Sequence, residues 1–123
     1  MLSFEEVGEM LDNIADGLPK EFYKELNGGI NLLPNIKYHP KSKNSADLYI
    51  LGEYRYDGKG LGRYINIYYG SFVRVNGNSS VSRLETELRR VLLHEFTHHL
   101  ESLAGERGLE IKDEIELKKY IET

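Results

Sequence analysis

Residues 94 to 98 read His94-Glu95-Phe96-Thr97-His98, an H-E-x-x-H pentapeptide inside a long amphipathic pattern. In an α-helix, four residues advance by about 400° and about 6 Å, so the two histidines project from one face, one turn apart. That spacing lets two imidazoles hold one Zn²⁺. It also sets the glutamate beside a water activated at the metal, where a carboxylate can take a proton. The motif carries this chemistry only on a helix, and the surrounding pattern predicts one.

On a helical wheel with His94 at 0°, Leu84, Leu88, Val91, Leu92, Leu93, Phe96, Leu100 and Leu103 fill an arc from about 60° to about 260°. A helix apolar over so much of its circumference reads as a central, buried one. His94 and His98 fall just outside the arc, at about 0° and about 40°, where a cleft meets solvent. Glu95 falls inside it, at about 100°. Burying a carboxylate is costly unless it is paired or hydrogen-bonded. Desolvation also raises its pKa, which suits a general base. His99 lies deeper, at about 140°, and reads as a core histidine with one hydrogen-bond partner.

The chain has no cysteine, which excludes disulfides and thiolate metal sites and leaves histidine and carboxylate as ligands. A length of 123 residues predicts one domain, residues 1–123, with one modest core. The net charge of −4 argues against nucleic acid or an anionic membrane as the main partner. The longest purely apolar run is Val91-Leu92-Leu93, far short of a membrane span. The first residues, Met1-Leu2-Ser3-Phe4-Glu5-Glu6, lack the basic and apolar regions of a signal peptide, so the expected location is the cytoplasm.

Ser3 and Glu6 form a capping box for a first helix whose buried stripe is Phe4, Val7, Leu11 and Ile14, and Gly17 stops it. Pro19 starts a second short helix to about Leu26. Ile30 to Tyr38 reads as a strand bent or placed at an edge by Pro34, followed by a polar loop from His39 to Ala46. Asp47 to Tyr56 and Arg63 to Tyr69 read as a hairpin around the glycine-rich turn 57–62. In the second of these strands Tyr64, Asn66 and Tyr68 share one face, and Ile65, Ile67 and Tyr69 the other. Residues 70–80 match no single pattern. Ser82 and Glu85 form a second capping box, opening the H-E-x-x-H helix, which should stop near Gly105, and Leu109 to Tyr120 reads as a final short helix.

A third metal ligand is not marked by the motif alone. The metzincin continuation H-E-x-x-H-x-x-G-x-x-H/D is broken here, with Glu101 at the glycine position and Ala104 at the last ligand position. Glu101, near −20° on the wheel, shares the histidine face and could ligate the metal or hydrogen-bond His98. Glu106 and Asp113 follow the helix. The fourth histidine, His39, sits beside Pro40 in a polar loop and reads as a surface residue.

The chain resembles a bacterial family of minimal zincin-like metallopeptidases. The resemblance spans nearly the whole length, from the Phe4-Glu5 helix and Leu18-Pro19-Lys20-Glu21-Phe22 to the run from Leu84 through His94-Glu95-Phe96-Thr97-His98-His99. The doubled histidine closing the motif is its most specific feature. Relatives continue as Phe-Gly and a short acidic segment, whereas this chain has Leu100-Glu101-Ser102-Leu103-Ala104-Gly105-Glu106 and reaches an Asp-Glu pair only at Asp113-Glu114. The resemblance implies an α+β zincin-like fold, a short mixed β-sheet packed against a central H-E-x-x-H helix with N-terminal helices. It also implies a Zn²⁺-dependent peptidase acting on a peptide or protein substrate, with Glu95 as general base. The metal residues are then His94, His98 and Asp113, the nearest equivalent of the acidic segment, with Glu106 and Glu101 as alternatives. The strand Arg63 to Tyr69 is expected to take an extended peptide as an added strand. A zincin-fold protein-binding module without turnover is the second expectation. A metal-dependent hydrolase of RNA is a third, which the acidic balance opposes.

Overall fold

A computed structural model describes residues 2–41 and 48–107. The elements run α1 (Phe4–Asp16), a 3₁₀ turn (Lys20–Tyr23), β1 (Gly29–Leu33), β2 (Gly52–Asp57), β3 (Gly62–Tyr68), α2 (Tyr69–Asn76) and α3 (Val81–Arg107). The fold is α+β, with a three-stranded mixed sheet in the order β1-β3-β2. β1 pairs with β3 in parallel, and β2 pairs with β3 antiparallel.

Each element forms for a local reason. The α1 capping box closes as its residue types predict: Ser3 Oγ accepts from the Glu6 N–H at 3.1 Å, and Glu6 Oε1 accepts from the Ser3 N–H at 2.9 Å. α1 then buries Val7, Leu11 and Ile14. The segment after Pro19 makes only one 3₁₀ turn instead of a longer helix. Its job is to seat Phe22, which is buried. Pro34 ends β1, and the chain then crosses to the far side of β2, where the His39 N–H donates to Leu48 O and the Ile50 N–H to Lys37 O. The hairpin turns at Gly62, whose φ of 72° lies in the left-handed region that glycine adopts freely. β3 ends at Tyr68, one residue early, because Tyr69 begins α2, the helix that the sequence pattern left unassigned.

α3 is 27 residues long. It starts at Val81, ahead of the expected cap at Ser82: the Ser80 hydroxyl accepts from the Arg83 N–H at 3.2 Å, so the cap lies two residues before the expected one. The helix also continues through Gly105 to Arg107. The expected terminal helix, 109–120, lies outside the described residues. No helix among those described is long and apolar enough to cross a membrane.

The core is one cluster between α3 and one face of the sheet, with α1 and α2 closing its sides. Ile65 and Ile67 from β3 meet Leu88, Leu92 and Phe96 from α3, all of them fully shielded from solvent. Phe96 also packs on Phe22 and Tyr23, with ring centroids 5.6 Å and 5.2 Å away. Glycine sets how near α3 comes to the sheet. A Cβ on Gly52 would stand 3.0 Å from Val91 Cγ1, 3.2 Å from Glu95 Cγ and 3.2 Å from Ile67 Cδ1.

Phe96→Ala should remove the ring that three elements share and cost about 3–5 kcal/mol of stability. Urea unfolding followed by circular dichroism measures it; a loss near zero would mean that the cluster is not the core.

Candidate functional site

α3 presents His94 and His98 to solvent, while Leu93, Glu95, Phe96 and His99 beside them in the chain are buried. Their Nε2 atoms are 3.2 Å apart, and the rings are nearly perpendicular, at 87°. Zn–N bonds of about 2.0–2.1 Å in a tetrahedron place two nitrogens about 3.3 Å apart, so the donor pair fits a zinc ion. His98 Nδ1, on the other side of its ring, faces Glu101 Oε2 at 3.9 Å.

Glu95 is 6% exposed, inside the apolar arc as its wheel position predicts. Burial pushes its pKa up. The positive potential of His94 and His98 opposes that rise, the Glu53 carboxylate adds to it, and a hydrogen bond from the Tyr54 backbone N–H lowers it again. The balance leaves it above the ordinary carboxylate range. The strand supplies that N–H because of its register. The Tyr68 N–H donates to Leu51 O, so antiparallel alternation turns the backbone groups of Gly52, Tyr54 and Tyr56 away from β3.

An open cleft of about 750 Å³ runs between the two elements. His94, Glu95, His98, Glu101 and Ser102 form its floor on α3, and Gly52, Glu53 and Tyr54 its wall on β2. The strand expected to receive a peptide, Arg63 to Tyr69, is the central one, paired on both sides, so it has no edge to offer. The edge beside the histidines belongs to β2.

Two polar groups support the wall. Burial alone would raise the Glu53 pKa, but hydrogen bonds from Lys37 and Tyr68 and the charge of Arg55 more than offset it and hold the carboxylate below its ordinary range. The Tyr68 hydroxyl donates to Glu53 Oε1 at 2.6 Å. The second group is buried. His99 Nε2 lies 2.8 Å from Lys24 O, a pure acceptor, so that nitrogen carries the proton. Burial holds the His99 pKa down, so the ring is neutral at neutral pH and its Nδ1 accepts the Tyr54 hydroxyl at 2.9 Å. The Tyr54 oxygen in turn accepts from Arg63 Nη1 at 2.9 Å, and the same nitrogen donates to Ser102 Oγ. His99 is thus the core histidine its position predicts, with two partners instead of one.

The structure brings His94, Glu95, His98 and Glu101 to one cleft. Among the described residues no group of three His, Asp or Glu converges as a metal cage. Asp113 and the Glu106 side chain lie outside the described residues. His39 is exposed, as its loop position predicts, and its Nδ1 accepts from the Lys41 N–H at 3.0 Å. Glu53, Tyr54, Arg63 and Ser102 were not legible as site residues from motif spacing. Two signals pointed at the last two. Arg63 has the strand parity of Ile65 and Ile67, which places a cation in the core, and Ser102 falls at about 80° on the α3 wheel, inside the apolar arc.

No protein-family model and no curated protein matches the chain. A solved structure does: a conserved hypothetical protein from Thermo thermophilus, 33% identical, with a TM-score of 0.71, covering 85% of this chain and 99% of that one. The chain belongs to the family of that protein.

The raised Glu95 pKa fixes the sign of a stability effect. The folded state holds this proton more tightly than the unfolded chain does, so above the raised pKa the ionised carboxylate subtracts from stability in full. As pH falls through the raised value toward the ordinary carboxylate range, that loss is relieved. In metal-free protein, Glu95→Gln should therefore unfold at higher urea than wild type at neutral pH, with the gap closing in acid. A gap independent of pH would show that its charge is not what the fold resists.

Proposed function

We propose that this protein is a zinc-dependent peptidase of zincin type. The observation that carries the reading is the pair of Nε2 atoms, 3.2 Å apart, opening on the same cleft as a buried glutamate. The H-E-x-x-H-H resemblance supports it, as does a small mixed sheet lying over the helix that bears the motif.

His94 and His98 would hold the metal. A zinc ion bound there supplies a Lewis acid for a carbonyl oxygen and a lowered pKa for a water. Glu95 then takes the proton of the attacking water and passes it to the leaving amine. Burial, which raises its pKa, suits it to both transfers. The outward groups of Gly52, Tyr54 and Tyr56 offer an edge to an extended peptide, with the Tyr54 N–H already committed to Glu95. Asp113 is the third ligand that the family resemblance implies, with Glu106 and Glu101 as alternatives. Glu101 stands on the Nδ1 side of His98, which suits orienting that ring better than binding beside Nε2. The same observation favours the second reading, a zincin-fold binding module without turnover, since the carboxylate sharing the histidine face is turned from the donor pair.

His94→Ala and His98→Ala should each abolish stoichiometric zinc binding, measured by elemental analysis after dialysis; one zinc retained by either excludes this site. Glu95→Gln should keep zinc and lose peptide hydrolysis by about 10²-fold or more. Equal turnover overturns the general-base role, and zinc-loaded wild type that cleaves no peptide supports the binding module. Glu101→Ala should weaken zinc by about tenfold, as an orienting residue does. Complete loss there would make Glu101 a ligand, and complete loss in Asp113→Ala would give that role to Asp113.

A further inference from the structure

Ser102 lies four residues beyond His98, so it follows the histidines along the cleft floor by one further turn, about 6 Å. Its hydroxyl behaves unlike the two threonine hydroxyls of α3. Thr86 and Thr97 turn theirs back onto the carbonyls of Ser82 and Leu93, at 3.1 Å and 2.9 Å. Ser102 instead turns its oxygen to Arg63 Nη1. Arg63 is 4% exposed, and a guanidinium can only donate, so Ser102 Oγ is the acceptor.

The hydrogens of this network can be followed one by one. Nη1 has two, one given to Tyr54 and one to Ser102. Tyr54 gives its own to His99 Nδ1, and His99 gives the Nε2 hydrogen to Lys24 O. Each of these hydrogens has a protein acceptor. The Ser102 hydrogen alone has no acceptor among the described residues, and its side chain lines the cleft. An O–H whose oxygen already accepts from a buried cation is polarised into a better donor.

We propose that Ser102 is a substrate-binding donor in this cleft, that its ligand is a carbonyl-type oxygen of a peptide, and that Arg63 and Tyr54 are the residues that position it. Such an oxygen belongs either to a backbone carbonyl or to a C-terminal carboxylate. The assignment rests on the peptidase reading, because that reading is what puts a peptide along β2. It differs from that reading in needing neither the metal nor turnover.

The experiment uses the metal-free protein and two pools of N-acetylated pentapeptides with randomised side chains, one amidated and one with a free carboxylate. Binding is read from backbone amide shifts of cleft residues, and stability from thermal melting. Ser102→Ala removes the donor without adding charge. Ser102→Asp removes the donor but still accepts from Arg63, so it keeps the buried cation satisfied. Ser102→Thr keeps both functions. The Ala and Asp variants should bind about five- to tenfold more weakly, and the Thr variant within about twofold of wild type, with the Asp variant melting close to wild type. A loss with both pools assigns the oxygen to a backbone carbonyl; a loss in the Ala variant confined to the free-acid pool assigns it to a terminal carboxylate. Unchanged affinity in the Ala and Asp variants overturns the Ser102 assignment and leaves the peptidase reading standing, as does a Thr variant as weak as the Ala variant. No shift in wild type with either pool overturns peptide binding in the cleft, and the assignment with it.

Discussion

Helix α3 can carry a buried carboxylate because strand β2 comes near enough to meet it. At Gly52 the strand has no side chain, and Val91, Glu95 and Ile67 all approach the point a Cβ would occupy to within 3.0–3.2 Å. Two residues on, the Tyr54 N–H turns away from β3 and donates to Glu95. A bulkier residue at 52 would push the helix off the strand, and Glu95 would keep its burial cost without its donor. The antiparallel register with β3 fixes which N–H groups face outward. The core behind them, Ile67 against Leu88 and Phe96, fixes the height of the helix above the strand.

Tyr54 therefore serves two buried charges of opposite sign. Its backbone N–H meets the Glu95 carboxylate, and its side-chain oxygen meets the Arg63 guanidinium. Buried charges rarely add net stability, since desolvation takes back most of what their partners return. What they add here is position. Arg63 ties β3 to Tyr54 on β2 and to Ser102 on α3. His99 ties α3 to the Lys24 carbonyl beside the 3₁₀ turn. Moving any one of these elements breaks hydrogen bonds in the low-dielectric interior, where they are costly to lose. These hydrogen bonds tie the Tyr54 side of the cleft wall to β3 and α3.

The elements with strong periodicity were legible from the sequence. α1 follows from its capping box and 3–4 spacing, the β2–β3 hairpin from alternation around a glycine-rich turn, and α3 from its wide apolar arc. The histidines at the arc's edge and the glutamate within it sit where the wheel puts them. Boundaries were less legible, because local hydrogen bonds decide them. Ser80 competes with Ser82 for the cap and wins by pairing with the Arg83 N–H, and α2 starts at Tyr69 where alternation alone would extend the strand. The strand order was not legible. Nothing in the Arg63 to Tyr69 pattern says that β1 will pair with its other edge, and that parallel pairing is what moves the free edge to β2. The polar network was hidden for a related reason: it joins residues up to 75 positions apart, and only tertiary packing brings Lys24 to His99.

His94 and His98 stand in a different environment from the wall. Both are exposed, and their Nε2 atoms are close enough that they cannot both carry a hydrogen directed at the other. Where the contact is a hydrogen bond, one Nε2–H donates to the lone pair of its neighbour, the direction being set by the tautomers. Glu101 biases which one it is. A carboxylate on the Nδ1 side of His98 favours the tautomer with hydrogen on Nδ1, which leaves the His98 Nε2 lone pair free and makes His94 the donor. His98 is then in the tautomer that ligation through Nε2 requires, while His94 would have to move its hydrogen to Nδ1 before its own Nε2 could ligate. On the proposed metal reading, the helix thus offers one prepared nitrogen and one that must adjust, both at the edge of a cleft whose far wall is tied by buried hydrogen bonds.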